Sequence, residues 1–261
     1  MSQISNLMSK KKAFVTGASA GIGEACASVF AREGYDLLLA ARRIDRLSEI
    51  SDRLTRAHGI KTHLLALDVR NADEVFSTFS NLPGEWQQVD ILVNNAGLSQ
   101  GLDPIHEGDI GDWDRMIDTN IKGLLYVTRA VAPIMAARGE GHIINIGSIA
   151  AKEVYPNGNV YCATKHAVDA LTKGMRIDLL DKHIKVTAIH PGMVETEFSI
   201  VRFKGDRDRA SAVYKNLEPL VADDIAEAVW FAASRPKHVN INDLVIMPTA
   251  QASATLTVRE N

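Results

Sequence analysis

Thr16-Gly17-Ala18-Ser19-Ala20-Gly21-Ile22-Gly23 follows a short apolar run, Ala13-Phe14-Val15, and opens a helical pattern that extends to about Glu33. Small residues in such a turn let backbone N–H groups approach a pyrophosphate, and the helix N-terminus favours its negative charge. The spacing Gly-x-x-x-Gly-x-Gly is one residue longer than the familiar Gly-x-Gly-x-x-Gly fingerprint. A glycine turn alone is weak evidence, and a plain βα turn would look similar. Its position after the first strand is what raises it. The turn offers Gly17, Ala18, Ser19, Ala20, Gly21 and Ile22 as contacts to a dinucleotide.

The same alternation continues outward along the chain. Leu37-Leu38-Leu39-Ala40-Ala41 is a second apolar run, followed by a charged helical stretch from Asp45 to Ala57. His63 to Leu67, Ile91 to Val93, Ile143 to Ile146, Val186 to Ile189 and Leu244 to Met247 repeat it, the last after a helix from Asp223 to Ala233. Continuous apolar strands separated by helical patterns indicate βαβ units and a parallel sheet covered on both faces. The expected fold is α/β: one Rossmann-type doubly wound domain of about seven parallel strands with helices on both faces. Its ligand crevice lies outside the carboxyl ends of the strands. The expected boundaries are a flexible tail over 1–11, the domain over 12–250 and a C-terminal tail over 251–261.

The composition is that of an ordinary soluble protein: 261 residues, 46% hydrophobic, formal charge −3. Without a basic stripe it shows no electrostatic footprint for nucleic acid. Lys10, Lys11 and Lys12 read as a solvated tail. No stretch reaches the ~18 uncharged apolar residues of a membrane span. Cys26 and Cys162 read as free thiols in a reducing compartment, so the expected address is cytoplasmic. Eight histidines are scattered without a His-x-x-x-His or Cys-x-x-Cys pair, so no metal site is expected. His166 and His190 read as structural.

The end of the second strand selects the nucleotide. A site for NAD usually carries an acidic residue there, whereas a site for NADP provides arginine for the 2′-phosphate. This chain reads Ala40-Ala41-Arg42-Arg43, which favours NADP(H). Further on, Tyr161 and Lys165 in Tyr-Cys-Ala-Thr-Lys lie one helical turn apart on one face. A phenol ordinarily titrates near ~10, and a neighbouring cation favours the phenolate. The pair is a candidate general acid/base, although such spacing also arises by chance.

Asn94-Asn95-Ala96-Gly97 after the fourth strand, Asn120 in a long helix, Ser148 ending the fifth strand and Pro191-Gly192 after the sixth complete an ordered set. With Tyr161 and Lys165 it resembles the short-chain dehydrogenase/reductase family across almost the whole chain. The resemblance implies a catalytic tetrad. Ser148 would hydrogen-bond the substrate oxygen and Tyr161 would exchange the hydroxyl proton. Lys165 would lower the tyrosine pKa and bind the nicotinamide ribose, and Asn120 would hold a helix distortion and a water. It also implies that Asp68 and Val69 meet the adenine and Asn95 the adenosine ribose. Pro191, Gly192, Val194 and Thr196 would contact the nicotinamide end and phosphates. Asp68 could otherwise serve as a helix N-cap.

The run Val194 to Gly205, with Leu220 to Asp224 and Met247 to Ser253, is similar to the NADP-dependent 3-hydroxy acid dehydrogenases. That resemblance implies serine, allo-threonine, 3-hydroxypropionate and malonic semialdehyde as candidate substrates. Sulfoacetaldehyde reduction to isethionate is the alternative, and a non-catalytic NADP sensor a more remote one. An anionic substrate calls for a cation near Tyr161. Among Arg202, Lys204, Arg207 and Arg209, Arg202 stands first because its neighbours are apolar. A lid is expected over about 193–218, with Gly192 and Gly205 as flexible points. Relatives are commonly homotetramers, and the C-terminal tail is a candidate to fold over a neighbouring subunit.

Overall fold

The computed structural model describes residues 10–260. The expected tail over 1–11 lies outside the described residues up to position 9. Its last member, Lys11, is exposed, but Lys12 is the first residue of a strand and is buried. The basic run therefore ends inside the domain rather than in solvent.

Seven strands form one sheet among the described residues: β1 (Lys12–Thr16), β2 (Asp36–Ala41), β3 (Thr62–Ala66), β4 (Ile91–Asn94), β5 (Gly141–Ile146), β6 (Ile184–Pro191) and β7 (Asp243–Ile246). Every pairing is parallel, in the order β3-β2-β1-β4-β5-β6-β7. The helices are α1 (Gly21–Arg32), α2 (Ile44–His58), α3 (Ala72–Ser80), α4 (Gly84–Gln87), α5 (Ile110–Ile117), α6 (Leu124–Arg138), α7 (Asn159–Asp178), α8 (Phe198–Arg202), α9 (Arg207–Ala212) and α10 (Ala222–Ala233). A π-helical turn, Asp118–Gly123, joins α5 to α6.

Alternate strand residues feed two cores, one on each face of the sheet, because side chains of a strand point to opposite sides. Ala13, Val15, Leu37, Leu39 and Val93 pack with α1, α2 and α10. Phe14, Leu38, Leu92, Ile143 and Val186 pack with Val75 and Phe79 of α3 and Val127, Val131 and Met135 of α6. Both faces being covered is why the strands read as unbroken apolar runs rather than as alternation.

The sheet order reverses between β1 and β4, which opens a crevice at their carboxyl ends. The glycine turn sits at one lip of it. Two elements differ from the expected outline. The segment from Gln251 does not trail away from the domain: Gln251 is buried, accepting from the Met193 N–H at 2.8 Å, and Glu260 N donates to Asn216 O at 2.9 Å. It thus packs on Met193 and Asn216 of its own chain. Gly192 is also no open hinge, since a Cβ there would meet Gln251 Oε1 at 2.5 Å and Met247 Sδ at 2.9 Å. Gly205, at φ +95°, does have open space around it.

Candidate active site

One cleft runs from the glycine turn to the start of α7. It is lined at one end by Gly17, Ser19, Gly21 and Arg43 and at the other by Ser148, Tyr161, Lys165 and Gly192. Gly17 and Gly21 take positive φ values of +65° and +55°, a conformation that costs a Cβ-bearing residue and not glycine. Asn95 closes the turn from behind, its Nδ2 donating to Thr16 O at 2.9 Å. Thr16 Oγ1 accepts from the N–H groups of Asn95 and Ala96. Gly23 is required by packing, because a Cβ there would lie 2.3 Å from Gly17 O. These contacts fix a backbone cradle of the kind that a pyrophosphate fits.

Ala18 departs from its expected role. It is fully buried and its N–H donates to Ala40 O at 3.2 Å, so that donor faces the sheet rather than the cleft. Ser19, Ala20, Gly21, Ile22, Asn95, Pro191, Val194 and Thr196 all line the cleft. Arg42, Asp68 and Val69 stand outside this lining. Arg70 grips Asp68, with Nε 2.9 Å from Oδ1, and holds its carboxyl below the usual range, with a smaller push from Arg42. The N-cap of α3 is Asn71, which accepts from Glu74 N at 3.2 Å, not Asp68.

At the other end, Tyr161 and Lys165 face the cleft from one side of α7 and are both buried. Lys165 Nζ donates to Ile146 O at 2.9 Å and lies 6.0 Å from the Tyr161 ring centroid. Burial pushes this ammonium down to about 8. Burial likewise pushes the Tyr161 phenol up, opposed first by Arg202 and then by the Ser148 hydroxyl. The expectation that Lys165 depresses the phenol is therefore corrected: desolvation wins, and the cation acting against it is Arg202. A phenol held above its ordinary range is protonated at neutral pH and is a proton donor.

Ser148 follows β5 and caps a single 3₁₀ turn, its Oγ accepting from Ala150 N at 3.1 Å. Asn120 lies in the π-helical turn, where its side chain pairs with both backbone groups of Leu98 at 2.8 Å and donates to Thr164 at 3.0 Å. A Cβ on Gly97 would lie 3.3 Å from Asn120 Oδ1 and 3.6 Å from Lys165 Nζ, so both side chains lie close to this glycine.

Arg202, on α8, stands beside Tyr161 but outside the lining of the cleft. Its Nε donates to Ser99 Oγ at 3.0 Å and its Nη2 to Tyr155 OH at 2.7 Å. The guanidinium stands 5.3 Å from the ring centroids of both Tyr161 and Phe198. Among the described residues no carboxylate pairs with it. By contrast Lys204 is bound to Asp112 at 2.8 Å, and Arg209 stacks on Phe203.

Sequence reasoning assigned no role to Ser99, Tyr155, Glu197 or Phe198, although the last two fall within the Val194 to Gly205 run. It also missed the surroundings of His190, which is fully buried between Ser148 O (3.2 Å) and Asp243 Oδ1 (3.3 Å). Asp169, His190 and Asp243 bring ligand-type atoms within 4.8 Å of one another. The Lys152 ammonium, 2.7 Å from Asp169, supplies a cation there.

The family profile of the short chain dehydrogenases matches residues 11–206. The chain belongs to that family. It is 47% identical over 245 residues to NADP-dependent 3-hydroxy acid dehydrogenase YdfG of Escherichia coli strain K12, covering 94% of this chain and 97% of that protein. It is 43% identical over 245 residues to sulfoacetaldehyde reductase 2 of Chromohalobacter salexigens, covering 94% and 96%. Among solved structures, the closed form of serine dehydrogenase complexed with NADP+ superposes with a TM-score of 0.89 at 46% identity, covering 96% of this chain and all of that one. The short-chain dehydrogenase has the fold and the seven-stranded sheet its sequence implied.

Proposed function

We propose that this protein is an NADP(H)-dependent oxidoreductase that interconverts small anionic hydroxy compounds and their carbonyl forms. Serine, allo-threonine, 3-hydroxypropionate and malonic semialdehyde are the substrates this reading names. The observation that carries it is Arg202, a half-buried guanidinium held by neutral partners directly above the Tyr161 ring. A small carboxylate whose carbonyl meets Tyr161 would find its charge-assisted donors there. The cofactor reading is supported by the glycine cradle, by Arg43 at the far end of the cleft and by the names of the relatives.

Bound NADP(H) supplies the hydride or accepts it. Ser19, Gly21 and Ile22 of the turn, with Val194 and Thr196, would hold its phosphates, and Arg43 its 2′-phosphate. Ser148 donates to the reacting oxygen, and Tyr161 delivers its proton to that oxygen in the reducing direction. Lys165 keeps a positive charge in the buried floor of the cleft below its pKa of about 8. The segment 193–218 would act as a lid, with Phe198 sealing the ring of Tyr161 at 5.7 Å. Exposed Ile110, Ile177, Leu180 and Phe231 leave apolar surface for subunit contacts in a homotetramer. Among the described residues no helix is long and apolar enough to cross a membrane, and the two buried free cysteines suit the cytoplasm.

A sulfonate would use the same guanidinium, so sulfoacetaldehyde is the second reading, supported by the 43% relative. NADPH oxidation with malonic semialdehyde, sulfoacetaldehyde and propionaldehyde, and NADP+ reduction with serine, allo-threonine and 3-hydroxypropionate, tests both. Turnover restricted to the carboxylates supports the first reading. Turnover of the uncharged aldehyde alone would overturn both.

A further inference from the structure

Arg43, at the nucleotide end of the cleft, is held from two sides. Its Nε donates to Ser19 Oγ at 3.3 Å in the glycine turn, and its Nη2 to Glu197 Oε2 at 3.0 Å. Glu197 lies 154 positions along the chain, immediately before α8, and both residues line the cleft. The pair therefore spans the mouth of the nucleotide pocket. Ser19 anchors the guanidinium independently, so Glu197 is not required to orient it. What the carboxylate does is occupy one of the terminal nitrogens that a phosphate would take, and place a negative charge beside it. Bidentate phosphate recognition uses the same forked edge.

We propose that Glu197 is a built-in competitor for the 2′-phosphate, setting NADP(H) affinity below what Arg43 alone would give and leaving the affinity for a nucleotide without that phosphate unaffected. The inference rests on the reading of Arg43 as the 2′-phosphate ligand. It also joins two ends of the site. Glu197 is followed by Phe198, which packs on Tyr161, and its carbonyl oxygen accepts from Val201 N at 3.0 Å in the turn that carries Arg202.

Both side chains are about half exposed, 48% and 49%, so water and salt screen the pair and the effect is modest. The test is calorimetric titration of the full chain and its E197Q, R43A and double variants with adenosine 2′,5′-bisphosphate and with 5′-AMP. E197Q is expected to bind the bisphosphate about twofold to fivefold more tightly at low salt, the range an exposed ion pair supports. The gain should fade near ~0.5 M salt, where the Debye length is only a few ångströms. It should vanish in the R43A background and be absent for 5′-AMP. Bisphosphate binding by E197Q equal to or weaker than wild type, with R43A still weakening it, overturns the competitor alone. An R43A variant that binds bisphosphate as wild type does removes the Arg43 reading and the inference together.

Discussion

Replacing Arg202 by methionine removes a charge while keeping most of the apolar stem that packs near Phe198 and Tyr161. The guanidinium has neutral partners, Ser99 and Tyr155, and no carboxylate among the described residues. A substrate anion bound as proposed would therefore meet a cation that is not already neutralised. A hydrogen bond to a charged group contributes about 1.5–3 kcal/mol, and each 1.4 kcal/mol is tenfold. The variant should lose roughly 10- to 100-fold in kcat/KM toward malonic semialdehyde, mostly through KM, by the same arithmetic. Propionaldehyde, with no anion to bind, should lose far less. A second readout follows from the phenol. Arg202 is the first of the groups opposing the rise of the Tyr161 pKa, so its removal raises that pKa further. Alcohol oxidation needs the phenolate, and in the variant it should set in at higher pH than in wild type. Both effects are read from steady-state NADPH absorbance over a pH series. Equal losses on anionic and uncharged aldehydes, with an unmoved pH profile, would rule out this role for Arg202.

Two further outcomes are expected. Lys165→Met should raise the melting temperature below pH 8, because the buried ammonium is held to about 8 against an ordinary value of 10.5. Between those values the native lysine has shed a proton that the unfolded chain keeps, so wild-type stability rises with pH and the gap closes toward pH 10.5; thermal melts showing a constant or growing gap would contradict this. Replacing Arg42 and Arg43 together by alanine should collapse the preference for NADPH over NADH in kcat/KM, and an unchanged ratio would remove both arginines from the phosphate site.

Most of the fold was legible because the sheet is covered on both faces: Leu37 to Ala41 is a bare apolar run for that reason, and the strand lengths follow. The glycine turn was legible because Gly17 and Gly21 take conformations that other residues avoid. Ser148, Tyr161 and Lys165 come together because a strand end and one helix face are both local features. Contacts between distant segments carry no period and could not be read. Arg202 meets Ser99 across 103 positions and Arg43 meets Glu197 across 154. Burial, too, is a property of the folded chain. Two residues four apart suggested a phenol lowered by its lysine, whereas desolvation of both raises one and lowers the other. The place of Ala18 in the turn suggests a cofactor contact, but its N–H is taken by the neighbouring strand.

In the proposed reaction Tyr161 exchanges the proton with the substrate oxygen. Phenylalanine at this position keeps the ring that packs edge-on against Phe198 and removes only the hydroxyl. Single-turnover and steady-state rates of Tyr161→Phe, measured beside its NADPH affinity by fluorescence titration, test it directly. The expected result is a fall of at least ~10²–10⁴-fold in kcat, the usual worth of a positioned acid/base, with NADPH affinity within about twofold of wild type. A variant that binds NADPH normally and turns over within about tenfold of wild type, well short of that loss, would contradict it.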